Sequence, residues 1–300
     1  MELQQLRYVV AVAETGGFTR AAERCHVVQS ALSHQIAKLE KEVGARLFAR
    51  TSRSVRLTLA GEAFLPAARQ SLEAAERAAA EASAAVGEVR GTLALGAIST
   101  IASVDVPNLL RDFHGRYPQV RIRMMAGRSE ELVRQVRDGA LDLAFLGVTP
   151  AFEAKGVRAV TLVEDRHVVV TAPDHPLATA GDGAPLELRR LADEVFVDFA
   201  AGSHARAQTE ETFAAAGLHR DVAFEASHWE FLAALVRNGM GIAMLPSAFV
   251  SQLSGLTVLP VRDGPRREER LIWTATRLTP AGAAFLRELG VTTADSAPAP

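Results

Sequence analysis

Residues 58–88 read TLAGEAFLPAARQSLEAAERAAAEASAAVGE. Alanine, glutamate and arginine dominate the run, and these residues lose little freedom when held in a helix. A helix of that length is about 45 Å long and too slender to hold a core of its own. Leu65, Ala68, Leu72, Ala75, Ala79 and Val86 form a narrow apolar stripe, which usually needs a partner helix. Pro66 is expected to kink the helix or to lie near its start. The run divides the chain, so the segments on either side must each bury their own hydrophobic residues. The expected divisions are 1–58, 59–89 and 90–290, with the polar tail 291–300 disordered.

In the first segment, Leu3, Leu6, Val9, Val10 and Ala13 recur at helical spacing, which predicts a helix over residues 2–14. Gly16-Gly17 ends it. Phe18, Ala21 and Ala22 begin a second short helix, and His26-Val27-Val28 connects it to a third, Gln29 to Val43, stopped by Gly44. Leu32, Ile36 and Leu39 give this third helix one buried face. The other face begins with Gln29, Ser30, Ser33 and His34, and Ala37, Lys38 and Lys41 follow. Short hydrogen-bonding groups in the first turns suit contact with base edges, and the helix amino terminus suits phosphate. Between Val43 and Gly61 stand Arg46, Arg50, Arg53 and Arg56 with no acid among them. This stretch reads as a β-hairpin wing with its tip near Ser52-Arg53-Ser54, where arginine would lie along phosphates or enter a minor groove. Residues 1–60 hold nine Lys/Arg against five Asp/Glu, in a chain whose formal net charge is −2. A basic end on an acidic body points to a nucleic-acid contact confined to that end.

The stretch FTRAAERCHVVQSALSHQIAKLEKEVGARLFARTSRSVRLTLAG resembles the winged helix-turn-helix of the LysR-type transcriptional regulators. SALS, QI, LE, LF and the LT-x-x-G at its end carry the resemblance. It implies that Gln29, Ser30, Ser33, His34, Lys38, Arg50 and Arg53 meet DNA. It also implies two departures. The family most often has arginine at position 34, and His34 cannot make that bidentate guanine contact. A serine or threonine cap is common at position 28, where this chain has Val28, which leaves helix capping to Ser30 or to a bound phosphate.

From Gly91 the pattern changes. GTLALGAIS, VRIRMMAG and LDLAFLG read as strands separated by helices around Val104–Tyr117 and Ser129–Asp138. HVVVTAP, EVFVDF, DVAFEA and GIAMLP read as strands of a second lobe, with helices near Ser203–Ala216 and His228–Asn238. RLIWTATR returns as a strand before a last helix, Thr279–Leu289. Such alternation predicts parallel sheets in two lobes, 90–162 with 268–290, and 163–267. This half resembles the effector domain of the same regulators, itself similar to periplasmic solute-binding proteins. The fold expected is thus multidomain: an all-α winged helix-turn-helix, a long linker helix, and a two-lobed α/β domain. Ligands of open α/β sheets sit beyond the carboxyl ends of strands. Ser99, Thr100, Arg128, Ser129, Ser203, Arg206 and Trp229 fall there and are the candidate effector contacts. Hydroxyls and helix termini at those ends suit a small anion.

The resemblance implies a regulator that binds double-stranded DNA as a homodimer or homotetramer, answers to a small molecule and can touch RNA polymerase. The alternative is a solute-binding protein without DNA regulation. No G-x-S-x-G, H-E-x-x-H or phosphate-loop motif points to an enzyme. Cys25, the sole cysteine, permits neither an internal disulfide nor a thiol-only metal site, and no cofactor is expected. The opening MELQQLRYVV lacks the pattern of a signal peptide and no apolar run is long enough to span a membrane, so a cytoplasmic location is expected.

Overall fold

Two compact units divide the chain, Met1–Glu88 and Val89–Pro300. The computed structural model describes residues 1–50, 55–179, 184–274, 276 and 278–291. The expected wing tip at 52–54 and nearly all of the expected tail lie outside these residues.

The first unit is built from α1 (Leu3–Thr15), α2 (Phe18–Arg24), α3 (Gln29–Val43), β1 (Phe48–Arg50), β2 (Val55–Leu57) and α4 (Leu59–Ala84). Leu6, Val9, Val12, Phe18, Leu32, Ile36, Leu39 and Leu47 form its core. Phe18 meets Phe48 edge-on, with ring centroids 5.7 Å apart. Gly16 ends α1 in the left-handed region at φ 67°. The carboxylate of Glu40 accepts from the backbone N–H of Leu47 at 2.7 Å and of Phe48 at 3.2 Å, tying α3 to the start of the hairpin. β1 and β2 pair antiparallel, with Arg50 opposite Val55.

The LT-x-x-G run has a physical reason. The Thr58 hydroxyl accepts from Gly61 N–H at 3.0 Å, capping α4, and donates to the Arg46 carbonyl at 2.6 Å. A Cβ on Gly61 would sit 2.1 Å from the Leu47 carbonyl oxygen, so only glycine lets α4 start this close to the hairpin. Gly61→Ala is therefore expected to destabilise the first unit by about 1–3 kcal/mol. The measurement is the midpoint of its urea transition, and an unshifted midpoint contradicts the account.

Pro66 lies inside α4 rather than at its start. Leu65, Ala68 and Leu72 of the apolar stripe pack on the first unit's core. Ala79 and Val86, farther along, are exposed, Val86 by 77%.

In the second unit, the lobe I strands are β3 (Gly91–Ala97), β4 (Val120–Ala126) and β5 (Leu143–Val148), with α5 (Val106–Arg116) and α6 (Ser129–Asp138) between them. β6 (Arg158–Thr171) leaves lobe I for lobe II. Lobe II holds α7 (Pro176–Thr179), α8 (Leu188–Leu191), β7 (Val195–Phe199), α9 (His204–Ala215), β8 (Asp221–Ala226), α10 (Trp229–Arg237), β9 (Ala243–Pro246), α11 (Ser247–Val250) and β10 (Thr257–Leu259). β11 (Arg266–Trp273) returns to lobe I, and α12 (Pro280–Glu288) closes it.

The parallel arrangement expected from the sequence holds only in part. β3 is parallel to β4 and β5, and β7 is parallel to β8. β11 is antiparallel to both β5 and β6, and β6 continues antiparallel to β9 and β10. The cause is the double crossing: one strand runs out, its neighbour runs back, and adjacent strands of opposite direction must pair antiparallel. Side-chain alternation gives each lobe two cores. In lobe I, Leu93, Leu95, Phe145 and Trp273 face α5 and α12, while Ala94, Ala144, Leu146 and Ile272 face α6. In lobe II, Val169, Phe196 and Met244 share one core and Val170, Val197 and Leu245 the other. The lobe boundaries expected at 162/163 and 267/268 fall within β6 and β11.

Candidate functional sites

In the first unit, Gln29, Ser30, His34, Lys38 and Lys41 are exposed along α3, and Ser33 is half-buried. Val28 caps this helix in extended conformation without a side-chain bond and is itself 69% exposed. The helix start at position 28 thus lacks a side-chain cap, as the departure noted there implies. Lys38 also lies 3.6 Å from the Glu2 carboxylate, an exposed contact that salt screens readily. Arg46 and Arg56 are exposed on the hairpin side. Arg50 belongs to β1, and Arg53 lies outside the described residues.

The second unit holds a cavity of about 300 Å³ between its lobes. Five of the seven expected contacts, Ser99, Thr100, Arg128, Ser129 and Ser203, line it. Ser99 and Thr100 follow β3, Arg128 and Ser129 open α6, and Ser203 caps α9. The Ser129 hydroxyl donates to the Gly147 carbonyl at 3.2 Å. Ser203 accepts from Arg206 N–H at 3.4 Å. Arg128 reaches from lobe I to lobe II, donating to the Gly202 carbonyl at 3.1 Å.

The other two are placed elsewhere. The Arg206 guanidinium bonds the carboxylates of Glu210, at 2.6 Å, and Glu225, so its charge is met within lobe II. Trp229 packs edge-on against Phe249 with centroids 5.1 Å apart, in the lobe II core. Neither lines the cavity.

Residues outside the expected set complete the wall, chiefly Arg267, Gln208, His228 and Phe199. Arg267 and Glu269 are 3% and 1% exposed and form an ion pair at 2.5 Å. Arg267 donates from Nη1 to the Thr100 hydroxyl and from Nη2 to the Thr100 carbonyl, both at 2.8 Å. Glu269 accepts from Ala102 N–H at 3.1 Å and Ser103 N–H at 2.8 Å. This buried pair thus holds the loop after β3 that carries Ser99 and Thr100. Burial lowers the Arg267 pKa, and the neighbouring Glu269 charge opposes that shift. Gly147 leaves room for it: a Cβ there would lie 3.0 Å from Arg267 Cζ and 2.5 Å from Ile98 Cδ1.

Among the described residues, no group of three or more His, Cys, Asp or Glu side chains is placed to hold a metal ion. No described helix is long and apolar enough to cross a membrane.

Comparison with known proteins gives consistent matches over both units. The profile described as "Bacterial regulatory helix-turn-helix protein, lysR family" matches residues 3–62, and "LysR substrate binding domain" matches residues 87–292. The RuBisCO operon transcriptional regulator of Allochromatium vinosum is 33% identical over 293 residues, covering 95% of this chain and 94% of its own. Full-length CbnR, solved in complex with its target DNA, is 25% identical with a TM-score of 0.72, over 97% of this chain and 99% of its own. A full-length OxyR variant from Pseudomonas aeruginosa is 28% identical with a TM-score of 0.73, over 99% and 98%.

Proposed function

This chain belongs to the LysR family of bacterial transcriptional regulators, and we propose from that premise that the first turns of α3 read its operator while the interlobe cavity takes a small anionic effector. Gln29, Ser30, Ser33 and His34 are the base or phosphate contacts, with Lys38, Arg50 and Arg53 on the backbone. The exposure of Gln29, Ser30 and His34 on one helical face supports this reading most directly. CbnR, similar over nearly the whole chain, is known bound to its target DNA. A solute-binding protein without DNA regulation is set aside, because residues 3–62 match the regulator's DNA-binding family. The protein acts in the cytoplasm, where its operator lies.

A small anion suits the cavity because the amino ends of α6, α9 and α10 all border it through Ser129, Ser203 and His228. The effector acts by binding one arrangement of the lobes better than another. Ala79 on α4 and Val86, two residues past its end, are the surface assigned to a second copy, since an operator of two half-sites needs a dimer.

Anisotropy titration on operator and mutated-operator duplexes tests the DNA contacts. Gln29→Ala is expected to cost about 1–3 kcal/mol of discrimination at one base position. Arg53→Ala is expected to weaken binding to all sequences alike and to reduce the salt slope by about 1. Unchanged operator preference in Gln29→Ala removes that residue as a reader.

A further inference from the structure

We infer that Val28 reads a thymine in the operator half-site, by packing its methyl groups against the base's 5-methyl in the major groove. The inference rests on the assignment of α3 to the operator, and it adds an apolar contact to the hydrogen-bonding ones.

Val28 stands where α3 begins, immediately before the exposed Gln29 and Ser30. The backbone on either side of it is held. Val27 N–H donates to the Ala22 carbonyl at 3.0 Å, and the Val28 carbonyl accepts from Ala31 N–H at 3.1 Å and from Leu32 N–H at 3.2 Å. The Val27 side chain packs on the core of the first unit, but Val28 is not among the residues packed there and keeps 69% of its surface exposed. It makes no side-chain cap either. Valine is one of the poorest residues at this place, and serine or threonine would satisfy an N–H that it leaves bare. Position 28 therefore serves neither the cap nor the core. What it presents is a fixed apolar knob beside the residues assigned to the bases.

The chemistry of that knob narrows what it can recognise. A valine side chain neither gives nor takes a hydrogen bond, so the nitrogen and oxygen groups of the base edges are lost on it. Thymine alone of the four bases carries a methyl group in the major groove. A phosphate or a guanine edge against valine would give up water and gain no partner. The β-branch also confines the two methyl groups to few rotamers, so little freedom is lost when they pack on a third. Gln29 then supplies the hydrogen-bonded reading and Val28 the reading of the methyl.

The test uses the full-length protein. Selection from a random duplex pool supplies the operator, and each thymine of one half-site is replaced in turn by deoxyuridine, which lacks only the methyl. Anisotropy titration is expected to find one position where the replacement weakens binding about fourfold, the effect of one methyl-sized group. Val28→Ser is expected to bind the thymine and uracil duplexes of that position equally and to keep the base preference assigned to Gln29. It is expected to melt no lower than the wild type, since serine caps α3. A methyl that acts through DNA stiffness is felt by both proteins alike, so only a sensitivity that disappears with Val28 supports the inference. No uracil-sensitive position, or one that persists in Val28→Ser, overturns it, and the assignment of α3 still stands if Gln29→Ala relaxes preference at its own base. If the selection enriches no sequence, the assignment of α3 fails and this inference with it.

Discussion

Arg267→Met is expected to lower the stability of the second unit by about 3–5 kcal/mol, because it strands a buried carboxylate. Glu269 is 1% exposed, and its charge is met by Arg267 and by the N–H groups of Ala102 and Ser103. Without Arg267, Glu269 keeps only those N–H groups, and Thr100 loses two bonds from the guanidinium. The loop carrying Ser99 and Thr100 loosens with it, so effector affinity falls as well. The double replacement Arg267→Met with Glu269→Leu is expected to recover much of the lost stability, since an apolar pair of similar volume replaces a buried ion pair at little cost. Denaturant unfolding of the two variants makes the comparison. A single replacement costing under about 1 kcal/mol would place the pair among exposed bridges rather than buried ones.

A second large effect comes from His167, on β6, 2% exposed and 3.4 Å from the Pro265 carbonyl through Nδ1. Burial, and then the charge of Arg267, lowers its pKa from 6.5 to about 4, while Pro265 and Asp165 pull weakly the other way. The unfolded chain therefore takes up this proton first. The contribution of neutral His167 is complete above pH about 6.5 and is lost as pH falls towards 4, roughly 3 kcal/mol in all. Burial moves the Asp142 and Asp198 carboxyls the opposite way, upward, so acid favours the folded state through them. The difference between the wild type and His167→Asn cancels those groups. Melting curves from pH 7 to 4 are expected to fall more steeply for the wild type, and parallel curves would contradict the assignment.

The sequence was most readable where local signals agree. Ser129–Asp138 and Gln29–Val43 were expected with the bounds observed, because Gly139 and Gly44 stop helices whose apolar faces are regular. β11 was read only from Arg270, yet it begins at Arg266. In RREE, Arg267 and Glu269 alternate inward and Arg266 and Glu268 outward, so buried charges occupy positions where a strand normally shows apolar residues. The same disguise hid Arg267 as a cavity residue. Gln208 was missed because its helix, α9, has no marked apolar stripe to separate its inner face from its outer one. Arg206 and Trp229 were placed at the right strand ends, but helix phase turns them towards Glu210 and Phe249 instead of the cavity.

The paired crossing of β6 and β11 makes lobe II an insert whose entry and exit are neighbouring strands, about 5 Å apart. Such an insert is a natural cassette. A foreign lobe with the same outgoing and returning strands could be grafted at Arg166 and Arg266, which lie opposite each other, without lengthening any connection in lobe I. Sensing and operator choice would then be exchangeable parts.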